Sequence, residues 1–359
     1  MKKIFITDCE GPISKNDNAF ELAERLIPEG AALFTLISKY DDIQSELVKR
    51  PGYRPGDTLK LILPFLKAYG ATNDLLKRLS IADIRLVPGA KETLSFVRKL
   101  MPTFIVSTSY EQYIQALCEL TDFPISNAYS TKLDLDRFRI PDEESHKLRR
   151  WVDDLVKMPV PKIPTSASST ADLARTDQET IMYLDNIFWS EMQEMHSGIV
   201  VREVRPIGGE EKAQAVKDII ERNSSSPDQV IYIGDSITDA APLRYVRKNY
   251  GLAVSFNGNE YAIKEAELAV LSGNTLATCV LAAAFNKGGK KSVSQLVSNW
   301  SYEKIEETVG GHLRSRAEEV YKDKLPIVEM ISDDNRARLI DESCSLRKKV
   351  RGEAVGSLG

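Results

Sequence analysis

A doubly wound α/β fold, with helices covering both faces of a parallel sheet, is what this 359-residue sequence predicts. Three short runs carry that expectation: "KIFIT" (3–7), "TFIVS" (103–107) and "VIYIG" (230–234). They are largely apolar rather than alternating, and rich in β-branched and aromatic residues, as strands buried on both faces are. Each stops at a polar cluster: "DCE", "STS" and "GDS". Helical patterns lie between them, and strand–helix alternation implies a parallel sheet.

Taken in order, the first strand runs into Asp8 and Glu10, followed by Gly11 and Pro12. Residues 15–85 are helical in pattern, as in "NAFELAERLI" and "TLKLILPFLKAY", with the loop "KRPGYRPGD" (49–57) between, and fit an inserted helical cap. "PGAKETLSFVRKL" (88–100) places Leu94, Val97 and Leu100 at helical spacing after Pro-Gly punctuation. The second strand follows at 103. Residues 126–199 form a second insertion, and "GIVVREVRP" (198–206) reads as a further strand. "EEKAQAVKDIIERN" (210–223) puts Ala213, Val216, Ile219 and Ile220 on one helical face. From 286 to 359 a charged, mainly helical extension is expected, its end "RGEAVGSLG" frayed.

Composition narrows the function classes. Apolar residues make up 42% and charged residues 28%, as in ordinary globular proteins. A net charge of −4 argues against general nucleic-acid binding. No run of eighteen apolar residues predicts a membrane span, and the apolar start is too short and acid-interrupted for a signal peptide. Cys9, Cys118, Cys279 and Cys344 are widely separated and read as free thiols of a reducing, cytoplasmic compartment. His146, His196 and His312 are scattered and suggest no zinc site.

Ligands of such sheets bind beyond the carboxyl ends of the strands, so the polar clusters are the candidate site. Asp8 and Glu10, two apart in an extended segment, point the same way. Paired carboxylates repel unless a cation or proton intervenes, which suits a nucleophile beside a proton carrier. A solvated turn would use the same residues. In "IYIGDSITDAAPLR" (231–244), Asp235 falls at the strand end, placed to bind Mg²⁺, and Asp239 lies one helical turn on. An N-cap pair is the plainer reading. Lys212, after Gly208 and Gly209 at a helix start, can reach back to offset phosphoryl charge, although a lone Lys is commonly solvated. Ser107 offers a hydroxyl at the second strand end, with Thr108 and Ser109 as competitors and helix capping as an equal explanation.

The order of these elements, strand plus Asp, strand plus Ser, Lys, then strand plus GD-x-x-x-D, resembles the haloacid dehalogenase superfamily. The resemblance covers 1–14, 86–125 and 200–285 as core, with 15–85 similar to the C1-type cap of phosphoserine-phosphatase-like members. "AVSFNGNEYAIKEAELAV" (253–270) extends it. It implies Mg²⁺-dependent hydrolysis of a small phosphorylated metabolite through an aspartyl-phosphate. Asp8 would be the nucleophile and Glu10 the general acid/base, with its carbonyl on Mg²⁺. Ser107, Thr108 and Lys212 would bind substrate. Asp235 would ligate the metal with Asp239 in support. Glu10 departs from the commoner Asp, although D-x-E-G is similar to the phosphoserine phosphatase and homoserine phosphotransferase type, so phosphotransfer is the alternative. The opening "TDCEGPIS" also resembles archaeal predicted hydrolases labelled energy-converting hydrogenase A subunit R. That label implies association with a hydrogenase; the rival reading is a non-catalytic interaction subunit, with 126–199 or the C-terminal extension meeting a protein partner.

Overall fold

The computed structural model describes residues 2–164 and 166–358. Its centre is a seven-stranded sheet: β1 (Ile4–Thr7), β2 (Thr103–Tyr110), β3 (Ala128–Thr131), β4 (Val230–Gly234), β5 (Leu252–Phe256), β6 (Leu268–Leu271) and β7 (Ile327–Met330). The spatial order is β3-β2-β1-β4-β5-β6-β7, parallel except for β7, which runs antiparallel to β6. This is the predicted doubly wound class. The chain builds outward from β1 through β2 to β3, then returns to lay β4 on the other side of β1. The switch point, where a crevice opens at the carboxyl ends, therefore lies between β1 and β4.

The uniform apolar runs have the burial they imply. Phe5, Ile231 and Ile233 face one side, packing with Val97, Leu281 and Phe285 of the helices Ala90–Leu100 and Leu276–Val297. Ile4, Ile6 and Tyr232 face the other, against Val216 and Ile219 of Glu210–Arg222 and Leu243 and Val246 of Ala240–Lys248. Alternation of side chains across a strand divides the residues between the two layers.

The two insertions share one apolar core. Phe20, Phe34, Tyr40 and Phe65 from the first pack with Leu148, Trp151, Leu184 and Phe188 from the second. The rings of Tyr40 and Phe188 stack at 5.8 Å, and Trp189 Nε1 donates to Tyr40 Oη at 2.6 Å. The result is one helical roof over the sheet's carboxyl edge.

Three expectations need correction. The strand expected at 198–206 is instead the helix Ser197–Glu203, because Val200, Val201 and Val204 bury together in the roof. Packing on one helical face overrides the β preference of these residues. The second strand does not end at Ser107 but runs on to Tyr110, whose partner is Thr131 across a register shift. Over its described residues, 351–358, the terminal segment is not frayed: Val355 and Leu358 pack into the roof's core, with Leu358 9% exposed, and Gly359 lies outside the described residues. The sheet also reaches beyond the segments 1–14, 86–125 and 200–285, since β3 lies in the second insertion and β7 in the C-terminal extension.

Candidate active site

Asp8 leaves β1 at the switch point, its amide donating to Ile233 O of β4 at 2.8 Å. Its Oδ1 accepts from Cys9 N at 2.7 Å and its Oδ2 faces Lys212 Nζ at 2.9 Å. Gly11 turns the chain away with φ +106°, and any Cβ there would lie 2.1 Å from Asp235 Oδ2. Glycine is required at this point both by conformation and by the closeness of that carboxylate. Glu10 Oε1 accepts from Asn18 N at 2.6 Å, tying the carboxylate to the start of the helix Asn18–Leu26.

Lys212 is fully buried and bridges two carboxylates, Asp8 Oδ2 and Asp239 Oδ1, the latter at 2.8 Å. Asp239 Oδ1 also accepts from Tyr232 Oη at 2.7 Å, while Oδ2 accepts from the amides of Asp235 (3.0 Å) and Ser236 (3.2 Å). Asp239 thus anchors the lysine and closes the turn after β4, with both oxygens engaged. Burial and the charges of Asp239 and Asp235 raise the Asp8 carboxyl well above the usual range, against the opposing pull of Lys212. Burial acts the same way on Asp239, but Lys212 and the surrounding donors outweigh it and hold that carboxyl low. Burial, then the charge of Asp17, raises Glu10.

One carboxylate oxygen each from Asp8, Asp235 and Asp239 lies within 4.8 Å of the others. Asp235 Oδ1 is buried without a hydrogen-bond partner among the described residues. An orphaned anionic oxygen is costly in a protein interior unless a cation meets it. The all-oxygen donor set fits a hard divalent ion such as Mg²⁺.

The predicted hydroxyl residues divide. Thr108 lines the cavity above Asp8, and its Oγ1 is buried without a partner among the described residues. Ser107 Oγ instead donates to Ser109 Oγ at 3.0 Å and accepts from Ser109 N at 3.2 Å. Asp17 lines the same cavity and caps its helix through Phe20 N at 3.0 Å. Glu21 is taken up by Asn16 at 2.7 Å and Arg85 at 2.6 Å.

Residues outside the sequence analysis complete the cavity. The roof supplies Asp41 and Asp42 from the helix Gly30–Ile43. Asp41 Oδ2 accepts from Gly56 N (2.8 Å) and Thr58 Oγ1 (2.9 Å), holding the 49–57 loop over the site. Burial, reinforced by Asp57 and Asp42, pushes its pKa up to about 7. The helix Arg336–Arg351 contributes Arg347 and Arg351, both paired with Asp235 Oδ2. Their four-residue spacing was the available signal, but "SLRKKVRGE" offers four cations and nothing local singles out these two.

Fold and site together define a doubly wound α/β protein with an acidic, lysine-bridged centre at its switch point, beneath a helical roof. The structure is similar over its whole length to gene product AF1437 from Archaeoglobus fulgidus, at 25% identity, 99% coverage of that chain and a TM-score of 0.80. More distant likenesses are a substrate-bound phosphoserine phosphatase (12% identity, 76% of this chain, 95% of that chain, TM-score 0.44) and the HAD family hydrolase t0658 from Salmonella enterica serovar Typhi (12%, 73% and 65%, 0.42). These two are too remote to bear on function. No family model and no curated protein matches the sequence.

Proposed function

We propose that this protein is a Mg²⁺-dependent phosphomonoester phosphatase of the haloacid dehalogenase type, acting on a small phosphorylated metabolite through an aspartyl-phosphate. The observation that carries this reading is the meeting of Asp8, Lys212, Asp235 and Asp239, drawn from three separate segments, at one strand-end centre.

In the proposed reaction a carboxylate oxygen of Asp8 attacks phosphorus, and the bond from phosphorus to the ester oxygen breaks. Glu10 gives its proton to that departing oxygen. Glu10 then takes a proton from water, which attacks the same phosphorus and releases Asp8 and inorganic phosphate. Lys212 offsets charge that would otherwise keep an anionic nucleophile from an anionic substrate. Asp239 positions Lys212, and Thr108 offers its free hydroxyl to the phosphoryl group. Asp8 and Asp235, with the Glu10 carbonyl and Asp239 in support, would hold Mg²⁺. The ion would supply Lewis-acid neutralisation of phosphoryl charge. The roof excludes bulk water and shapes the pocket for the leaving group.

The test is phosphate release from a generic aryl phosphate with and without Mg²⁺. Asp8→Asn is expected to lower turnover on the order of 10⁴-fold or more, as removal of a nucleophile does. Turnover unchanged by that substitution would overturn the proposal.

A further inference from the structure

Six carboxylates line the cavity: Asp8, Glu10, Asp17, Asp41, Asp42 and Asp235. The cations in the lining are Arg347 and Arg351, both from the C-terminal helix. Lys212 is already committed to two carboxylates below. A phosphate dianion entering this space meets carboxylates on most sides, and the two guanidiniums are the side-chain cations facing it among the described residues.

The two arginines differ in what they have left to give. Arg351 is engaged at three nitrogens: Nε to Lys15 O at 3.3 Å, Nη1 to Asp235 Oδ2 at 3.2 Å and Nη2 to Asn16 O. It fixes the segment after the β1 turn. Arg347 is 2% exposed and donates from Nη1 to Asp235 O (3.1 Å) and Oδ2. Its Nε is buried with no acceptor among the described residues. A buried charged donor left unpaired is costly, and here it belongs to a side chain that lines the proposed reaction site.

The helix is held in place independently of the arginines. Ser343 Oγ donates to Gly258 O at 2.7 Å, Leu339 packs with Leu271 of β6, and Val355 and Leu358 enter the roof's core just beyond. Asp235 then has two distinct sides: Oδ2 orients the guanidiniums, and Oδ1 is free for a cation.

We propose that Arg347 is an anion-binding residue of this site, donating from its free Nε to a phosphoryl oxygen, with Arg351 and Asp235 as the residues that position it. Guanidinium is suited to this task, since its planar fork pairs with phosphate in a way an ammonium does not. The inference rests on the phosphatase reading for the identity of the anion, but not for the existence of the anion site.

The experiment measures inorganic phosphate affinity by calorimetry on the full-length chain, and KM and kcat for an aryl phosphate that lacks a carboxylate. Arg347→Lys keeps a cation beside Asp235 and removes the fork. It is expected to weaken phosphate binding about tenfold and to raise KM similarly, the loss of one charge-assisted hydrogen bond. Arg347→Gln is expected to weaken it further. Thermal melts identify any variant that fails to fold, and Arg347→Lys keeps the test alive if Arg347→Gln does so. Phosphate affinity and KM unchanged in a folded variant would overturn the anion site while leaving the phosphatase reading intact. Phosphate binding that depends on Arg347, without hydrolysis of any phosphoester, would support the anion site and sink the phosphatase reading instead.

Discussion

The floor and the walls of this cavity are built in different ways. The floor consists of residues at strand ends: Asp8 after β1 and Asp235 after β4, joined through Lys212 and Asp239. Its side chains are held by the sheet register and by donors close at hand, such as the Asp235 and Ser236 amides on Asp239. The walls consist of helical residues from distant segments: Asp41 and Asp42 from the roof, and Arg347 and Arg351 from the C-terminal helix. Their positions depend on apolar packing between segments far apart in the chain, as when Val355 and Leu358 join Phe34 and Phe188. A floor set by a sheet is rigid. Walls set by packing can differ in shape without disturbing the chemistry below, which suits substrate selection.

The contrast predicts where the molecule is fragile. Lys212→Met removes the shared cation of two buried carboxylates, and is expected to destabilise the fold by about 3–5 kcal/mol at neutral pH. Urea unfolding measures this. A loss below about 1 kcal/mol would mean that the floor is not the rigid element described here.

Asp41 tests the roof wall by pH. Its folded-state pKa, about 7, lies above its ordinary value of 3.8. The folded protein therefore holds a proton there that the unfolded chain gives up first. The stabilisation is fully present below pH 3.8 and is lost as pH rises through 7. The difference between the two values sets an upper bound of about 4 kcal/mol on the loss. Asp41→Asn should flatten stability between pH 5 and pH 9 and leave the variant more stable than the parent at the alkaline end (pH values chosen to bracket a titration of about 7). Parallel profiles for the two proteins would dismiss this role for Asp41.

The smallest effect is expected at the chain's end. Deleting residues 358–359 removes the buried Leu358 and should cost about 1.5–3 kcal/mol by lost burial alone. Phosphate affinity should fall as well, because the end of the helix carrying Arg347 loses part of its fastening to the roof. A melting temperature and affinity equal to the parent's would return this segment to the frayed tail that its composition suggests.

The difference between floor and walls is also the difference in what could be read beforehand. "KIFIT" and "VIYIG" appear as β1 and β4 with bounds within a residue of expectation, and the acids that follow them, Asp8 and Asp235, bring carboxylate oxygens within 4.8 Å of each other. "GIVVREV" misled because its valines suit a strand, and only the roof's packing made their i, i+1, i+4 spacing a helical face. Ser107 and Thr108 are both candidates in the sequence, at a strand end expected at 107. Pairing of Tyr110 with Thr131 carries the strand further, and Thr108 is the residue that lines the cavity.

The sequence by itself determined the three adjacent strands β2, β1 and β4 and the identities of the acids and lysine at the switch point, because apolar runs, glycine turns and strand ends are local properties of the chain. Only the tertiary structure decided that two insertions merge into one roof, and that two of several arginines in a charged tail turn inward to Asp235. What a helix face packs against is settled by surfaces hundreds of residues away; the local pattern records the face but not its partner.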